Sequence, residues 1–106
     1  MNYAAYAQVI KAMADENRLK IIDLLSCGTL CACEILENFD FTQPTLSHHM
    51  KVLQTAGIVS AVKKGRWQYY TLLPEFTTEF PEFIKQLLRD SHECVCHSDS
   101  SCSRPD

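Results

Sequence analysis

TQPTLSHHMKVLQTA, residues 42–56, reads as a helix packed on one side and exposed on the other. Thr42 stands where a hydroxyl caps the first backbone N–H groups, and Pro44 falls in the first turn, where no intrahelical donor is lost. Leu46, Met50 and Leu53 recur at i, i+4 and i+7, an apolar stripe at about 100° per residue, while Thr45, Ser47, His48, Lys51 and Thr55 point elsewhere. The outward face therefore offers hydrogen-bonding groups and a cation but no carboxylate. Gly57 follows as a left-handed helix stop, and IVSAVKKGRWQYYTLL, residues 58–73, reads as two short strands turning at Lys64 and Gly65. A helix followed by a basic hairpin predicts a winged helix-turn-helix.

Upstream of this stretch the pattern is helical throughout. Tyr3, Tyr6, Ile10 and Met13, with Val9 widening the stripe, predict an amphipathic first helix. Asp15 is placed to cap a second, with Leu19, Ile22 and Leu25 inward and Gly28 ending it. Thr29 then opens a short third helix, LCACEILENF, that stops near Asp40, so a tight turn joins it to the helix at 42–56. Downstream, Pro74 breaks the strand, and Phe76, Phe80, Phe83 or Ile84, and Leu87 or Leu88 mark a last helix ending near Arg89 or His92. The tail HECVCHSDSSCSRPD has almost no hydrophobic content beyond Val95 and its cysteines, so mobility is expected unless a ligand orders it. The expected fold is mainly α with a small β-hairpin wing, in the order α-α-α-α-β-β-α. Residues 1–92 form the folded domain and residues 93–106 a flexible Cys-rich tail.

One domain is expected for 106 residues, with a core small enough that burial across a dimer interface would add to it. No run approaches the ~20 apolar residues of a membrane span, and the N-terminal stretch has neither the basic region nor the small-residue cleavage site of a signal peptide. A cytoplasmic location with no membrane partner is expected. The net charge of −3 argues against nucleic acid until the charges are located. Between Phe41 and Pro74 stand Lys51, Lys63, Lys64 and Arg66 and no acid, a local +4, while the remaining six bases and 13 acids give −7. Phosphate binding follows the local field at the contact surface, so this segment is the basic footprint. Six cysteines in a chain placed in a reducing compartment point to metal binding or redox sensing rather than structural disulfides.

Taken together, CACEIL, TQPTLSHHMKVLQTAGIV and the KKGRWQYY wing resemble the ArsR/SmtB family of metal-responsive repressors, and its arsenic-responsive branch in particular, over about Tyr6 to Leu88. The resemblance implies a homodimer paired through its first and last helices. Its two presenting helices would enter successive major grooves of an inverted repeat in double-stranded operator DNA, and metal or metalloid binding would release the DNA. The family's groove-facing positions fall on Gln43, Thr45, Ser47, His48 and His49, where Gln and Ser suit base edges or phosphates. Lys51 on the helix and Lys63, Lys64 and Arg66 in the wing suit the phosphate backbone. His49 also lies near the edge of the apolar stripe, which fits a packed core histidine equally well. Trp67, Tyr69 and Thr71 share one strand face and Tyr70 takes the other, and these aromatics are expected to serve core and wing packing.

Cys31 and Cys33, in LCACEIL, resemble the ELCVC-type signature of the arsenic and cadmium/lead branches. Soft thiolates select thiophilic ions, which makes As(III) and Sb(III) the implied inducers, with cadmium, lead or zinc as variants and no organic cofactor. The chain departs from the arsenite pattern at the position three residues after the second cysteine, which is Leu36. A third ligand would then come from Cys94, Cys96 or Cys102, which could also form a second site by themselves. Cys27 is expected to be a small buried hydrophobe. Residues two apart on an ideal helix point about 200° apart, so joint chelation by Cys31 and Cys33 is expected to unwind the third helix and shift the helix packed on it. The family's other site, Asp-x-His with a later His-x-x-Glu on the last helix, is poorly matched: Glu79 and Glu82 come without histidine, and Asp90, His92, Glu93 and His97 cluster at its end. His92 and His97 beside Cys94 and Cys96 would suit a mixed sulfur–nitrogen zinc site. A thiol-redox sensor, working through a disulfide or persulfide on the same scaffold, is the alternative. A hydrolase is disfavoured by the lack of a Cys-His-Asp constellation and by the acid-free basic segment.

Overall fold

The computed structural model describes residues 2–89, which form α1 (Tyr3–Met13), α2 (Glu16–Leu25), β1 (Leu30–Cys31), α3 (Ala32–Leu36), α4 (Gln43–Thr55), β2 (Val59–Lys64), β3 (Trp67–Leu72) and α5 (Pro74–Leu87). The winged helix-turn-helix predicted from the sequence is present, with α4 as its presenting helix. Side chains fix three of its helix starts, α3 through Cys31 and Glu34 and the first two through oxygen acceptors. Asn2 Oδ1 accepts the Ala5 N–H at 3.0 Å, and Asp15 Oδ2 accepts those of Asn17 and Arg18 at 2.9 and 3.1 Å. Thr42 occupies the cap position of α4 but makes no side-chain cap bond. Pro44 stands at the second helical position, so one of the two N–H groups that such a cap would reach does not exist.

The core is made where α2, α3, α4 and the hairpin converge. Ile21, Leu25, Ile35, Leu46, Met50, Leu53, Ile58, Val59 and Tyr70 are all buried there. The stripe on α2 runs through Ile21 and Leu25 rather than through Leu19, which is 51% exposed. Positions 19, 22 and 25 and positions 21 and 25 both satisfy helical spacing, and packing into the shared core decides between them. On α1 the predicted stripe does not all face this core. Tyr3 and Ile10 are exposed, and Tyr6 instead stacks on Phe83 of α5 with ring centroids 4.0 Å apart.

The hairpin pairs Val59 with Leu72 at its base and Lys64 with Trp67 at its tip, where Gly65 takes a positive φ of 65° that the turn requires. A third strand joins it. Leu30 and Cys31 pair with Tyr70 and Tyr69, giving an antiparallel sheet of order β1-β3-β2. The third helix therefore begins at Ala32 rather than Thr29, because the backbone of residues 30 and 31 is extended for the ladder, and it ends at Leu36. Tyr70 is core, as expected of a wing aromatic, but Trp67 at the hairpin tip is 48% exposed. The turn into α4 is braced from α2, where Lys20 Nζ donates to the Asn38 carbonyl at 2.9 Å and lies 4.9 Å over the Phe39 ring.

Candidate nucleic-acid interface and thiolate site

The burial pattern of α4 divides it cleanly. Leu46, His49, Met50 and Leu53 are buried, and Gln43, Thr45, Ser47, His48 and Lys51 are exposed on the other side. Four side chains that accept or donate hydrogen bonds and one cation thus stand on a helix whose back is fixed. Lys63, Lys64 and Arg66 are exposed around the hairpin tip, with Lys64 Nζ 5.8 Å from the Tyr69 ring centroid. Lys11 of α1 lines a cleft together with His48 and Lys51, adding a cation to this footprint that no pattern within residues 41–74 announces.

His49 does not share the exposed face. It is 8% exposed, its ring lies 5.5 Å from that of Phe41, and its Nδ1 is 3.1 Å from a terminal guanidinium nitrogen of Arg18. The packed-histidine alternative is the one that the geometry fits. A guanidinium only donates, so Nδ1 accepts and the imidazole is neutral. Burial pushes the His49 imidazole below its ordinary value of 6.5; nearby Asp15 opposes that shift, and Arg18 and His48 reinforce it. Asp15 is itself held below the usual carboxylate value, first by the Arg18 backbone N–H that it accepts. Arg18 is the residue that sequence reasoning missed. Its partner is 31 positions away, and no helical or strand periodicity links them.

The thiols are arranged differently from an ideal helix. Cys31 ends β1 and is the N-cap of α3, with extended backbone angles of −80° and 154°, so only Cys33 lies within the helix. Their Cα atoms are 5.4 Å apart and the two sulfurs are joined directly, without any unwinding of α3. The 200° separation expected from helical geometry is removed because β1 pairing holds Cys31 outside the helix. Cys31 is buried and Cys33 exposed. Cys31 Sγ accepts the Cys33 N–H at 3.3 Å, and Glu34 Oε1 accepts the Cys31 N–H at 2.8 Å, a capping box built on sulfur. Leu36, at the position of the family's third thiol, packs against the core. Cys27 is exposed rather than buried, because α2 ends at Leu25 and the chain turns outward there.

Cys94, Cys96 and Cys102 lie outside the described residues, as do Asp90, His92, Glu93 and His97. Among the described residues no three His, Cys, Asp or Glu side chains cluster as a metal site. With the bond between them reduced, Cys31 and Cys33 would offer two thiolates, matched in softness to a thiophilic ion and in need of a further ligand.

The sequence model of the family described as bacterial regulatory protein, arsR family, matches residues 15–61, from the cap of α2 into β2. Over 96 residues the chain is 41% identical to the arsenical resistance operon repressor of Staphylococcus aureus, covering 91% of this chain and 92% of that protein. The chain belongs to the ArsR family. A cadmium resistance transcriptional regulatory protein CadC homolog, also of Staphylococcus aureus, is 36% identical to this ArsR-family chain over 77 residues, 72% of this chain and 64% of that one. The homodimeric winged helix-turn-helix DNA-binding domain from Mycobacterium bovis, solved by solution NMR, superposes with a TM-score of 0.67 at 28% identity, over 79% of this chain and 78% of that chain. Membership places the molecule among DNA-binding regulators of transcription and not among enzymes.

Proposed function

We propose that this ArsR-family chain is a homodimeric repressor that binds an inverted repeat in double-stranded DNA. It lets go when As(III) or Sb(III) is chelated by Cys31 and Cys33 with a third thiolate from Cys94, Cys96 or Cys102. The observation that carries the proposal is the convergence of the Cys31 and Cys33 sulfurs at the start of α3, the helix whose Ile35 is buried in one core with Leu46, Met50 and Leu53 of α4. The relative named as an arsenical resistance operon repressor supports the metalloid, and the CadC homolog keeps cadmium, lead or zinc as variants. For DNA, the support is the acid-free exposed face of α4 beside Lys63, Lys64 and Arg66. For the dimer, it is the apolar rim of Tyr3, Ile10, Leu87 and Leu88 left exposed around the α1–α5 aromatic stack, together with the homodimeric structural neighbour. Among the described residues no helix is long and apolar enough to cross a membrane, which suits the cytoplasmic placement.

Release follows from what Cys31 does in the absence of an ion. Its sulfur caps α3 and its backbone pairs with Tyr69. Once a thiol reductant has opened the Cys31–Cys33 bond to two thiols, chelation takes their protons off and draws the Cys31 sulfur toward the ion. That loosens the cap and moves the β1–α3 junction, and Ile35 passes the displacement to α4. A coupling of ~1–3 kcal/mol per site is typical of such linkage and corresponds to roughly 5- to 150-fold in DNA affinity.

The direct sulfur–sulfur bond favours one second reading, a redox switch on the same pair. Hydrogen peroxide would take two electrons and the two thiol protons, leaving the disulfide and two waters, with no metal involved. Fluorescence anisotropy on a duplex that the protein selects from a random-sequence pool separates the two. Arsenite, cadmium, zinc and peroxide are titrated at fixed salt into reduced wild type and into Cys94→Ser/Cys96→Ser. Release by arsenite, weakened in the double variant, is the expected result. Release by peroxide and by no metal would replace the metalloid reading with the redox one, and no selected duplex at all would end the repressor reading.

A further inference from the structure

Three elements meet at one guanidinium. Arg18, in the first turn of α2, donates through Nε to the Ala12 carbonyl at 2.6 Å, near the end of α1, and through a terminal nitrogen to His49 Nδ1 at 3.1 Å on the inner side of α4. Its own N–H is accepted by Asp15, which caps α2. Phe41 closes over the imidazole and stacks on Phe39 at 4.6 Å. His49 is the buried polar side chain of the core, and among the described residues no buried side-chain nitrogen or oxygen is left without a partner.

His49 follows His48 by about 100° around α4, so whatever fixes the imidazole also fixes where His48, Ser47 and Gln43 point. We infer that Arg18 is a positioning residue for DNA binding: without touching DNA, it sets the rotation of α4 through His49, and it does so while His49 is neutral. The inference rests on α4 being the helix that meets DNA. A protonated imidazole would put two cations 3.1 Å apart with no acceptor between them. The charged and titratable groups acting on His49 are Asp15 at the α1–α2 junction, which favours the charged form, and Arg18 and His48, which oppose it. Burial is the largest influence, Arg18 and His48 act in the same direction, and the folded value lies below 6.5. The contribution of the bond is therefore complete above 6.5 and is lost as pH falls from there through the lower folded value.

The test measures anisotropy on a duplex selected by wild type from a random pool, at several salt concentrations and from about pH 5.5 to about 8. Arg18→Met is expected to weaken binding by roughly 2- to 30-fold near neutral pH, the range for a residue that acts without touching the ligand, and to leave the slope of log K against log salt unchanged. His49→Gln keeps an acceptor for Arg18 at every pH. It should bind as wild type near neutrality and lose the decline in acid. An Arg18→Met slope shallower by about 0.9 would make Arg18 a phosphate ligand and overturn the inference. So would Arg18→Met binding like wild type, or His49→Gln retaining the acid decline, and the latter decides the matter if Arg18→Met does not fold. A wild type that selects no duplex would remove the reading of α4 and the inference with it.

Discussion

α4 and the β1–α3 junction lie against each other and are held in opposite ways. α4 is a 13-residue helix with four buried side chains, and Met50 and Leu53 at its centre are completely enclosed. The junction is a two-residue strand and a five-residue helix in which Cys31 and Ile35 are buried and Leu30, Ala32 and Leu36 are only partly buried against the core. Two ladder positions and the polar cap of Cys31 and Glu34 supply the rest of the hold. Apolar burial resists displacement, whereas a short ladder and two cap bonds yield to a few kcal/mol. A sensor needs both properties in contact: a rigid reading element, and beside it a segment whose arrangement a bound ion can change.

The contrast breaks most visibly at Met50. Met50→Ala should destabilise the fold by about 2–5 kcal/mol, seen as a drop of roughly ten degrees or more in thermal melting. An unchanged melting temperature would mean that α4 is not held by its core side. Next in size is the wing. Lys63→Ala with Lys64→Ala should leave melting unchanged and flatten the salt dependence of DNA binding by about 1.8 in slope, which amounts to some 60-fold in affinity near 0.1 M salt. A slope identical to wild type would take both lysines off the phosphates.

Cys31→Ser with Cys33→Ser probes the yielding side. DNA binding should stay within about two-fold of wild type while the arsenite response, about 5- to 150-fold, disappears. A double variant still released by arsenite would move the sensor away from the junction.

The difference between the regions also governs what could be read from the sequence. α4 and the hairpin were legible because their signals are local: a 3.6-residue stripe over 42–56, a basic turn at Lys64 and Gly65, and Gly57 between them. The junction was not, because Leu30 and Cys31 become a strand only through Tyr70 and Tyr69, which arrive from beyond α4. LCACEIL read by itself is a plausible helix, and that misreading generated the expectation of an unwinding that the extended Cys31 makes unnecessary. Leu19 and Ile21 show the same limit on a smaller scale, since either suits the helix and only packing selects Ile21. Cys27 shows it again, its exposure set by the chain's path after α2 rather than by residue type. Arg18 shows it most fully, being an ordinary helix cation until His49 is folded beside it.

The smallest expected effect sharpens the comparison furthest, because it separates stability from response. Glu34 accepts the Cys31 N–H at 2.8 Å and so holds the junction in the arrangement seen here without supplying a ligand to the ion. Glu34→Ala removes that bond from an exposed, partly screened position and should lower stability by only about 0.5–1.5 kcal/mol. If the cap holds the DNA-bound arrangement, the same loss makes displacement of Cys31 easier, and half-maximal release should then occur at an arsenite concentration up to about ten-fold lower, with DNA affinity in the absence of arsenite reduced in proportion. A melting temperature that falls while the arsenite threshold stays fixed would show that the capping box supports the fold alone. The path from thiolate to α4 would then have to run through the β1–β3 ladder, where Tyr69 and Tyr70 tie Cys31 and Leu30 to the wing.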